Sequence, residues 1–355
     1  MHYAYSLLLS NVLNEIHRMK NNFPQISVIM ACYNSSAYIT EAINSVLSQT
    51  FDELELILID DSSSDNTLKI AKSFQVKDNR ISIISLPVNF GPADARNAGI
   101  RIARGEWIGI LDSDDISVPL RFEEQIKLAV SDKDLILIGS NAVTIDDKGC
   151  ELKEHKYPTN HQSLVKRLST CRAFPPHSSI LYKKDVVEKL SAFNSRYVRS
   201  QDTDLCFRLS EIGKIASVNM PLIKLRKHKQ NLSNSDGGRM QSLFGHAASV
   251  CHFIRIYGQS ISDPSATKGE IKWIAFLTWL EKELIGECVL EKRQVRADAR
   301  GQYFAAGNRL SGLLHLGTRL VKSGHASAIV WEKLFGSSLP ERLAREWMRM
   351  KLTRQ

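Results

Sequence analysis

Apolar and polar positions change in blocks along the first third of the chain. Ile26-Ser27-Val28-Ile29-Met30-Ala31-Cys32 is a short, almost unbroken apolar run, the pattern of a buried strand. Tyr33-Asn34-Ser35 closes it, and between Tyr38 and Gln49 the apolar residues Ile39, Ala42, Ile43, Val46 and Leu47 recur at helical spacing. The alternation then repeats: strand Leu54–Ile59, helix Thr67–Phe74 with Ser64 or Asp65 as its cap, strand Ile81–Leu86, a break at Gly91-Pro92, helix Ala93–Ala103, strand Trp107–Leu111. Strand and helix in turn, four times over, predict a parallel sheet with helices on both faces, joined by right-handed connections.

The pattern continues with a strand at Leu135–Ser140, a hairpin over Asn141–Leu152 turning at Asp147-Lys148-Gly149, and a helix at His161–Leu168. A loop, Phe174-Pro175-Pro176-His177, leads to a strand at Ser178–Tyr182 and a helix at Lys184–Leu190. Gln201-Asp202-Thr203-Asp204 opens a further helix, Leu205–Ile212, which Gly213 ends. The strand Ile215–Val218 and the segment Leu222–His228 close this part. Beyond the polar stretch Asn231–Gly238 the pattern is helical with no strand signal. Three parts follow: 1–23, an N-terminal extension; 24–237, the α/β domain; and 238–355, a helical, basic C-terminal region. Patterned sequence begins only at Pro24, so Met19 stands as an alternative start.

Composition narrows the class. Of 355 residues, 43% are hydrophobic and 24% charged, as in ordinary globular proteins, and the length suffices for a large core. Residues 241–355 hold seventeen Lys and Arg against ten Asp and Glu, and so most of the formal +9. A basic third points to an anionic partner (membrane surface, nucleic acid or acidic substrate) or to a solvated basic face. Six scattered cysteines without a Cys-x-x-Cys pair argue against a zinc site or a disulfide framework and fit a reducing compartment. No run approaches the roughly 18 apolar residues of a membrane span and no signal peptide is evident, so the cytoplasm is expected.

The candidate chemistry gathers where strands end. Trp107–Leu111 runs into Asp112-Ser113-Asp114-Asp115, and carboxylates this close raise one another's pKa. A divalent cation removes the conflict: Asp112 and Asp114 are hard oxygen donors suited to Mg²⁺ or Mn²⁺, which share their sites with phosphate oxygens. A solvated acidic turn would have the same composition. What sets this one apart is company, because Tyr33-Asn34 and Asp60-Asp61 also stand at the carboxyl ends of predicted strands, where open sheets bind ligands. Neither Gly-x-Gly-x-x-Gly after the first strand nor Gly-x-x-x-x-Gly-Lys-Ser/Thr occurs, which disfavours nicotinamide dehydrogenases and P-loop enzymes.

Taken in order, these motifs resemble the family-2 glycosyltransferases, which share the nucleotide-diphospho-sugar transferase fold GT-A. The resemblance spans Pro24 to Ser233. It rests on Ser27–Asn34, Asp60-Asp61-Ser62, Gly91-Pro92-Ala93-Asp94-Ala95-Arg96-Asn97-Ala98-Gly99, Leu111–Asp115, Gln201-Asp202 and Arg226-Lys227-His228. It implies a GT-A fold, Rossmann-like with a mostly parallel sheet, followed by a helical C-terminal region. It also implies inverting transfer of a sugar from a nucleotide-diphosphate sugar, with Mn²⁺ or Mg²⁺, to a glycan or lipid-linked acceptor in bacterial cell-surface polysaccharide, capsule or lipopolysaccharide synthesis. A UDP-sugar is the family's commonest donor. By the same resemblance Tyr33 and Asp61 contact the base, Arg96 lies near the nucleotide, Asp112 meets the ribose, and Asp114 binds the metal that bridges the phosphates. His228 matches a histidine that approaches the metal or diphosphate, and Asp202 matches the catalytic base, with Gln201 where Glu is common. The processive signature Gln-x-x-Arg-Trp is absent, which favours transfer of a single sugar.

The chemistry agrees, since inverting transfer needs one base and a stabilised leaving group. A helix N-cap is the competing role for Asp202. The rival readings are a nucleotidyltransferase, which usually carries a glycine- and lysine-rich loop lacking here, and a degenerate, non-catalytic sugar-binding protein. No nucleic-acid partner is expected. At the tail, Glu341–Leu352 gathers Leu343, Ala344, Trp347, Met348 and Met350 on one side and Arg342, Arg345 and Arg349 on the other. Such a helix suits either the surface of an anionic membrane, here the cytoplasmic face of the inner membrane, or packing against the rest of the protein.

Overall fold

The computed structural model describes residues 24–171, 173–228, 231, 238–258, 261–266, 270–286 and 338–352. The expected extension 1–23 and the stretch 287–337 lie outside the described residues. The strands are β1 Ile26–Cys32, β2 Leu54–Asp60, β3 Ile81–Ser85, β4 Trp107–Ile110, β5 Ile116–Ser117, β6 Leu135–Ile145, β7 Glu151–His155, β8 Leu181–Lys183 and β9 Lys214–Arg226. The helices are α1 Ile39–Leu47, α2 Thr67–Gln75, α3 Pro92–Ile102, α4 Arg121–Ser131, α5 His161–Ser169, α6 Lys184–Lys189, α7 Gln201–Ser210, α8 Arg239–Tyr257, α9 Glu270–Gly286 and α10 Leu339–Leu352.

Two compact units emerge, and they do not divide at Gly238 as the sequence suggests. Among the described residues, the first comprises 24–159, 175–192 and 213–226; the second comprises 160–174, 193–212 and those from 227 onward. Short helical segments leave the α/β portion and return to it, which a reading in chain order does not register.

The first unit is a sheet of order β3-β2-β1-β4-β8-β6-β9-β5, with β7 paired to β6. β1 pairs in parallel with β2 and β4, and β2 with β3, as the alternating pattern predicts. Past β4 the sheet is mixed: β8 is antiparallel to β4 and β6, whereas β9 is parallel to β6. Strand order reverses between β1 and β4, the switch point at which such sheets open a crevice. Ile26, Val28, Met30, Leu56, Leu58 and Phe122 belong to one buried core cluster.

Three local differences from the sequence pattern have physical reasons. Helix α4 was not visible because its buried face includes Arg121 and Gln125 beside Phe122, Ile126 and Ala129, which breaks the apolar period. The expected strand Ser178–Tyr182 starts as a 3-10 turn, His177–Ser179, imposed by the prolines before it. β9 is one strand rather than two pieces; Pro221 sits where the register against β6 shifts, so its missing N–H falls at an irregularity.

In the second unit α8 buries Leu243, Phe244, Ala247, Val250, Cys251 and Ile254. Rings extend this core: Tyr197 to Trp273 at 5.1 Å, Trp273 to Phe276 at 5.5 Å, Phe276 to Trp347 at 5.1 Å and Trp279 to Trp347 at 4.9 Å between centroids. The apolar face of α10 is therefore covered. Leu343, Ala344 and Trp347 are buried within this unit, as the second of the two alternatives for this helix, packing against the rest of the protein, requires. Among the described residues no helix is long and apolar enough to cross a membrane.

Candidate functional site

The crevice is built by three loops at the carboxyl ends of β1, β2 and β4. Asn34, at φ 49°, turns the chain out of β1 and is braced by the β2 loop: its N–H donates to Ser63 Oγ at 3.0 Å, and its Oδ1 accepts from Ser64 N at 2.8 Å. Ser35 N–H donates to Thr67 Oγ1 at 2.8 Å and Ser36 N–H to Asp65 Oδ2 at 3.0 Å. The Ser35 and Ser113 hydroxyls meet at 2.6 Å and tie the β1 loop to the β4 loop across the switch point. Tyr33 stands beside this brace with 53% of its surface exposed.

Asp61 is buried, and each of its oxygens holds an amide: Phe90 N at 2.8 Å and Gly91 N at 2.9 Å. Gly91 takes φ +87°, a conformation that side chains disfavour, and Pro92 follows as the first residue of α3. One turn on, α3 delivers Arg96, whose Nη2 donates to Asp112 Oδ1 at 2.7 Å. Arg96 is 8% exposed and Asp112 37% by side chain, so this is a half-buried ion pair. Burial works to raise the Asp112 carboxyl, but Arg96 and then His177 outweigh it and hold Asp112 below the usual carboxylate range.

Asp115 has a different fate. Ser178 Oγ donates to its Oδ2 at 2.5 Å and Arg226 N–H to its Oδ1 at 2.9 Å, while Ser178 Oγ accepts from Asp112 N–H at 3.2 Å. Burial, with Asp114 and Asp112 close by, pushes the Asp115 carboxyl well above its ordinary value. The crowding of carboxylates is thus relieved in part by Arg96, Ser178 and Arg226, and not by a cation alone, as the sequence suggested. Asp114 is half-buried. Among the described residues no three His, Cys, Asp or Glu side chains gather into a ready-made cation cage. The donor set is two carboxylates with Asp115 withdrawn, which fits Mg²⁺ or Mn²⁺ when phosphate oxygens and water complete the shell.

The first unit therefore brings together Tyr33, Asp61, Arg96, Asp112 and Asp114. Asp202 and His228 belong to the second unit. Asp202 lies in the first turn of α7, whose N-cap position is Ser200 at φ 55°, so Asp202 is not the cap. His228 sits in a local turn, its N–H donating to Asn231 Oδ1 at 2.6 Å and its Nε2 lying 3.2 Å from Asn231 Nδ2. Sequence reasoning gave no role to Ser178 or Arg226, and counted Asp115 among the carboxylates without assigning it. A buried serine carries no signal; Arg226, ending an apolar strand, carried a weak one.

Sheet order and loops together match the nucleotide-diphospho-sugar transferase fold that the sequence motifs imply, as solved structures of that fold bear out. The structure is similar to S. aureus TarS 1–349 in complex with UDP-GlcNAc, with a TM-score of 0.55, 17% identity, and 78% of this chain and 80% of that one covered. It is also similar to the mannosyltransferase PcManGT from Pyrobaculum calidifontis in complex with GDP-Man and Mn²⁺, with a TM-score of 0.50, 16% identity, and 92% and 88% covered. In sequence, the Glycosyl transferase family 2 profile matches residues 27–191. The O-antigen biosynthesis glycosyltransferase WbnJ of Escherichia coli is 33% identical over 216 residues, 59% of this chain and 82% of WbnJ. The uncharacterized glycosyltransferase MJ1057 of Methanocaldococcus jannaschii is 35% identical over 187 residues, 52% of this chain and 64% of that protein's length. The chain belongs to glycosyltransferase family 2.

Proposed function

We propose that this protein transfers a single sugar, with inversion, from a nucleoside-diphosphate sugar to a hydroxyl of a glycan or lipid-linked acceptor, in the synthesis of a surface polysaccharide at the cytoplasmic face of the membrane. The observation that carries the reading is the Arg96–Asp112 pair beside Asp114 at the carboxyl end of β4, next to the braced β1 loop. The complexes with UDP-GlcNAc and GDP-Man on this fold support a nucleotide-sugar donor.

In this reading Tyr33 offers its exposed ring to the base. Asp61 retains a second lone pair on each oxygen for the same ligand. Asp112, held ionised by Arg96, accepts from a ribose hydroxyl. Asp114 would hold Mn²⁺ or Mg²⁺, which when bound supplies Lewis-acid stabilisation of the departing diphosphate. Asp202 takes the proton from the acceptor hydroxyl as that oxygen attacks the anomeric carbon. No covalent nucleophile is required. Leu343, Ala344 and Trp347 of α10 are buried and offer no surface to a membrane.

The test is a donor screen of nucleotide sugars with Mn²⁺ and Mg²⁺, read as release of the nucleoside diphosphate. Asp114→Ala is expected to abolish release and the metal-dependent gain in donor affinity while the fold persists by circular dichroism. Full activity of Asp114→Ala, or of the wild type in EDTA, would overturn the metal assignment. Absence of any donor turnover would favour the non-catalytic rival.

A further inference from the structure

The last residue of β9 has no part in the proposed transfer itself, yet it touches the acidic loop twice. Arg226 is 4% exposed. Its main-chain N–H holds the Asp115 carboxylate, and its Nε donates to the carbonyl oxygen of Asp114 at 3.1 Å. Nη1 reaches the carbonyl oxygens of Asp146 at 3.3 Å and Asp147 at 3.2 Å, in the turn between β6 and β7. Nη2 pairs with Glu41 on α1, and the guanidinium lies over the Tyr38 ring, 4.9 Å from its centroid. One planar fork thus joins α1, the β6–β7 turn and the loop after β4.

Burying a charge is unfavourable unless it is fully hydrogen-bonded, and a strand end could be packed with an apolar side chain at less cost. What the guanidinium supplies that an apolar residue cannot is a fixed direction for the Asp114 carbonyl. The peptide is planar, so fixing that carbonyl constrains the main chain from which the Asp114 side chain leaves. The loop is already tied at its far side, where Ile116 and Ser117 pair with Lys224 and Ile223 of β9. Arg226, two residues beyond Lys224 in the same strand, completes the hold. Its burial keeps it from meeting a ligand itself, so any effect on the ligand passes through the loop.

We propose that Arg226 is a positioning residue that sets the main chain at Asp114, so that the Asp112 and Asp114 carboxylates stand ready for a divalent cation. The inference rests on the proposed metal role of Asp114. A lysine cannot replace this function, because a point charge cannot span the carbonyl oxygens of Asp114, Asp146 and Asp147 and the Glu41 carboxylate together.

The experiment uses the full chain and UDP as the probe, with affinity measured by calorimetry in EDTA and in saturating Mn²⁺. Arg226→Lys and Arg226→Met are expected to lower the Mn²⁺-dependent gain by about tenfold or more, the range seen when the residues that orient metal ligands are removed. Metal-free affinity should stay within about twofold. Glu41→Gln, at the outer end of the fork, should lower the gain by about threefold, and it decides the matter with Arg226→Lys if Arg226→Met does not fold. A loss of metal-free affinity as large as the loss in Mn²⁺ would mark Arg226 as merely structural and overturn the proposal. So would Arg226→Lys and Glu41→Gln keeping the full gain. A wild type with no Mn²⁺-dependent gain would overturn the metal reading and this inference together, whereas a wild type with the gain and variants that retain it would overturn the inference alone.

Discussion

Where the strands of the first unit end, the side chains that meet are short and polar; among the helices of the second they are aromatic. In the first, Asn34, Ser35, Ser36, Ser63, Ser64, Asp65, Thr67 and Ser113 brace the loops at 2.5–3.0 Å. In the second, Tyr197, Trp273, Phe276, Trp279 and Trp347 form a continuous ring cluster. The second unit's polar contacts include one cluster in which Glu211 meets His252 at 2.6 Å and Arg255 at 2.9 Å, with Arg255 on to Asp263 at 2.5 Å. Precision is needed where a ligand binds. Directional bonds hold atoms within tenths of an ångström of a required place, as a ligand crevice demands. Ring packing contributes stability through area and tolerates small shifts, which suffices for a helical scaffold. Removing a ring should therefore leave ligand binding in the crevice undisturbed, and removing a polar brace should cost less stability than removing a ring.

The largest expected effect tests the aromatic side. Trp347 is 6% exposed and touches both Phe276 and Trp279. Trp347→Ala should cost about 3–5 kcal/mol of stability, as large-to-small substitutions in packed cores do. Denaturant unfolding followed by far-ultraviolet circular dichroism measures it. UDP affinity below the transition should stay within about twofold of the wild type. A stability change below about 1 kcal/mol, or a large loss of UDP affinity, would mean that the ring cluster is not a scaffold separate from the crevice.

The next effect concerns Asp202, on a helix of the aromatic unit but with a chemical role. Because Ser200 occupies the N-cap position, Asp202→Asn removes no cap and forfeits only a first-turn dipole interaction of about 0.3–1 kcal/mol. Turnover should nevertheless fall at least about 100-fold, within the range for loss of a general base, with donor affinity unchanged. A rate within a few-fold of wild type would leave the aspartate as a helix-dipole residue. The same variant sharpens the contrast, since its effect lies in rate and Trp347→Ala's in stability.

The first four strands and their helices were legible because buried parallel strands are continuous apolar runs and the helices between them keep one face apolar. The placement of Asp61, Arg96, Asp112 and Asp114 in one crevice followed from strand ends and motif order. What was not legible depends on contacts distant in sequence. Ser178 lies 63 residues from the Asp115 it caps, and Arg226 lies 111 residues from the same carboxylate. Helix α4 was hidden by Arg121, whose guanidinium is fully buried yet donates to the carbonyl oxygens of Ile110 and Ile180 at 3.0 and 3.2 Å. Burial lowers this group to about 9, and no local pattern signals a helix that buries a charge against the carbonyls at strand ends. The tail helix is amphipathic in its sequence, but amphipathicity alone does not say which surface covers the apolar face.

The smallest expected effect probes the polar brace through pH. Burial works to raise the Asp65 carboxyl, but hydrogen bonds from Ser36 and Thr67 outweigh it and bring the group down to about 2. Its ordinary value in an unfolded chain is about 3.9. A carboxyl whose pKa is depressed by folding adds stability that is complete above the unfolded value and disappears as pH falls through the folded one. The contribution should therefore be constant above about pH 4.5 and fade between about pH 4 and pH 2. Asp65→Asn keeps the shape but not the charge, and its amide nitrogen cannot accept the Ser36 N–H. Other carboxyls titrate alike in both proteins, so the difference in thermal midpoint between wild type and Asp65→Asn isolates this one group. That difference should amount to a few degrees at neutral pH for a gain of at most about 1 kcal/mol and shrink towards zero near pH 2. A difference that does not change across this window would show that the brace depends on the shape of Asp65 and not on its charge.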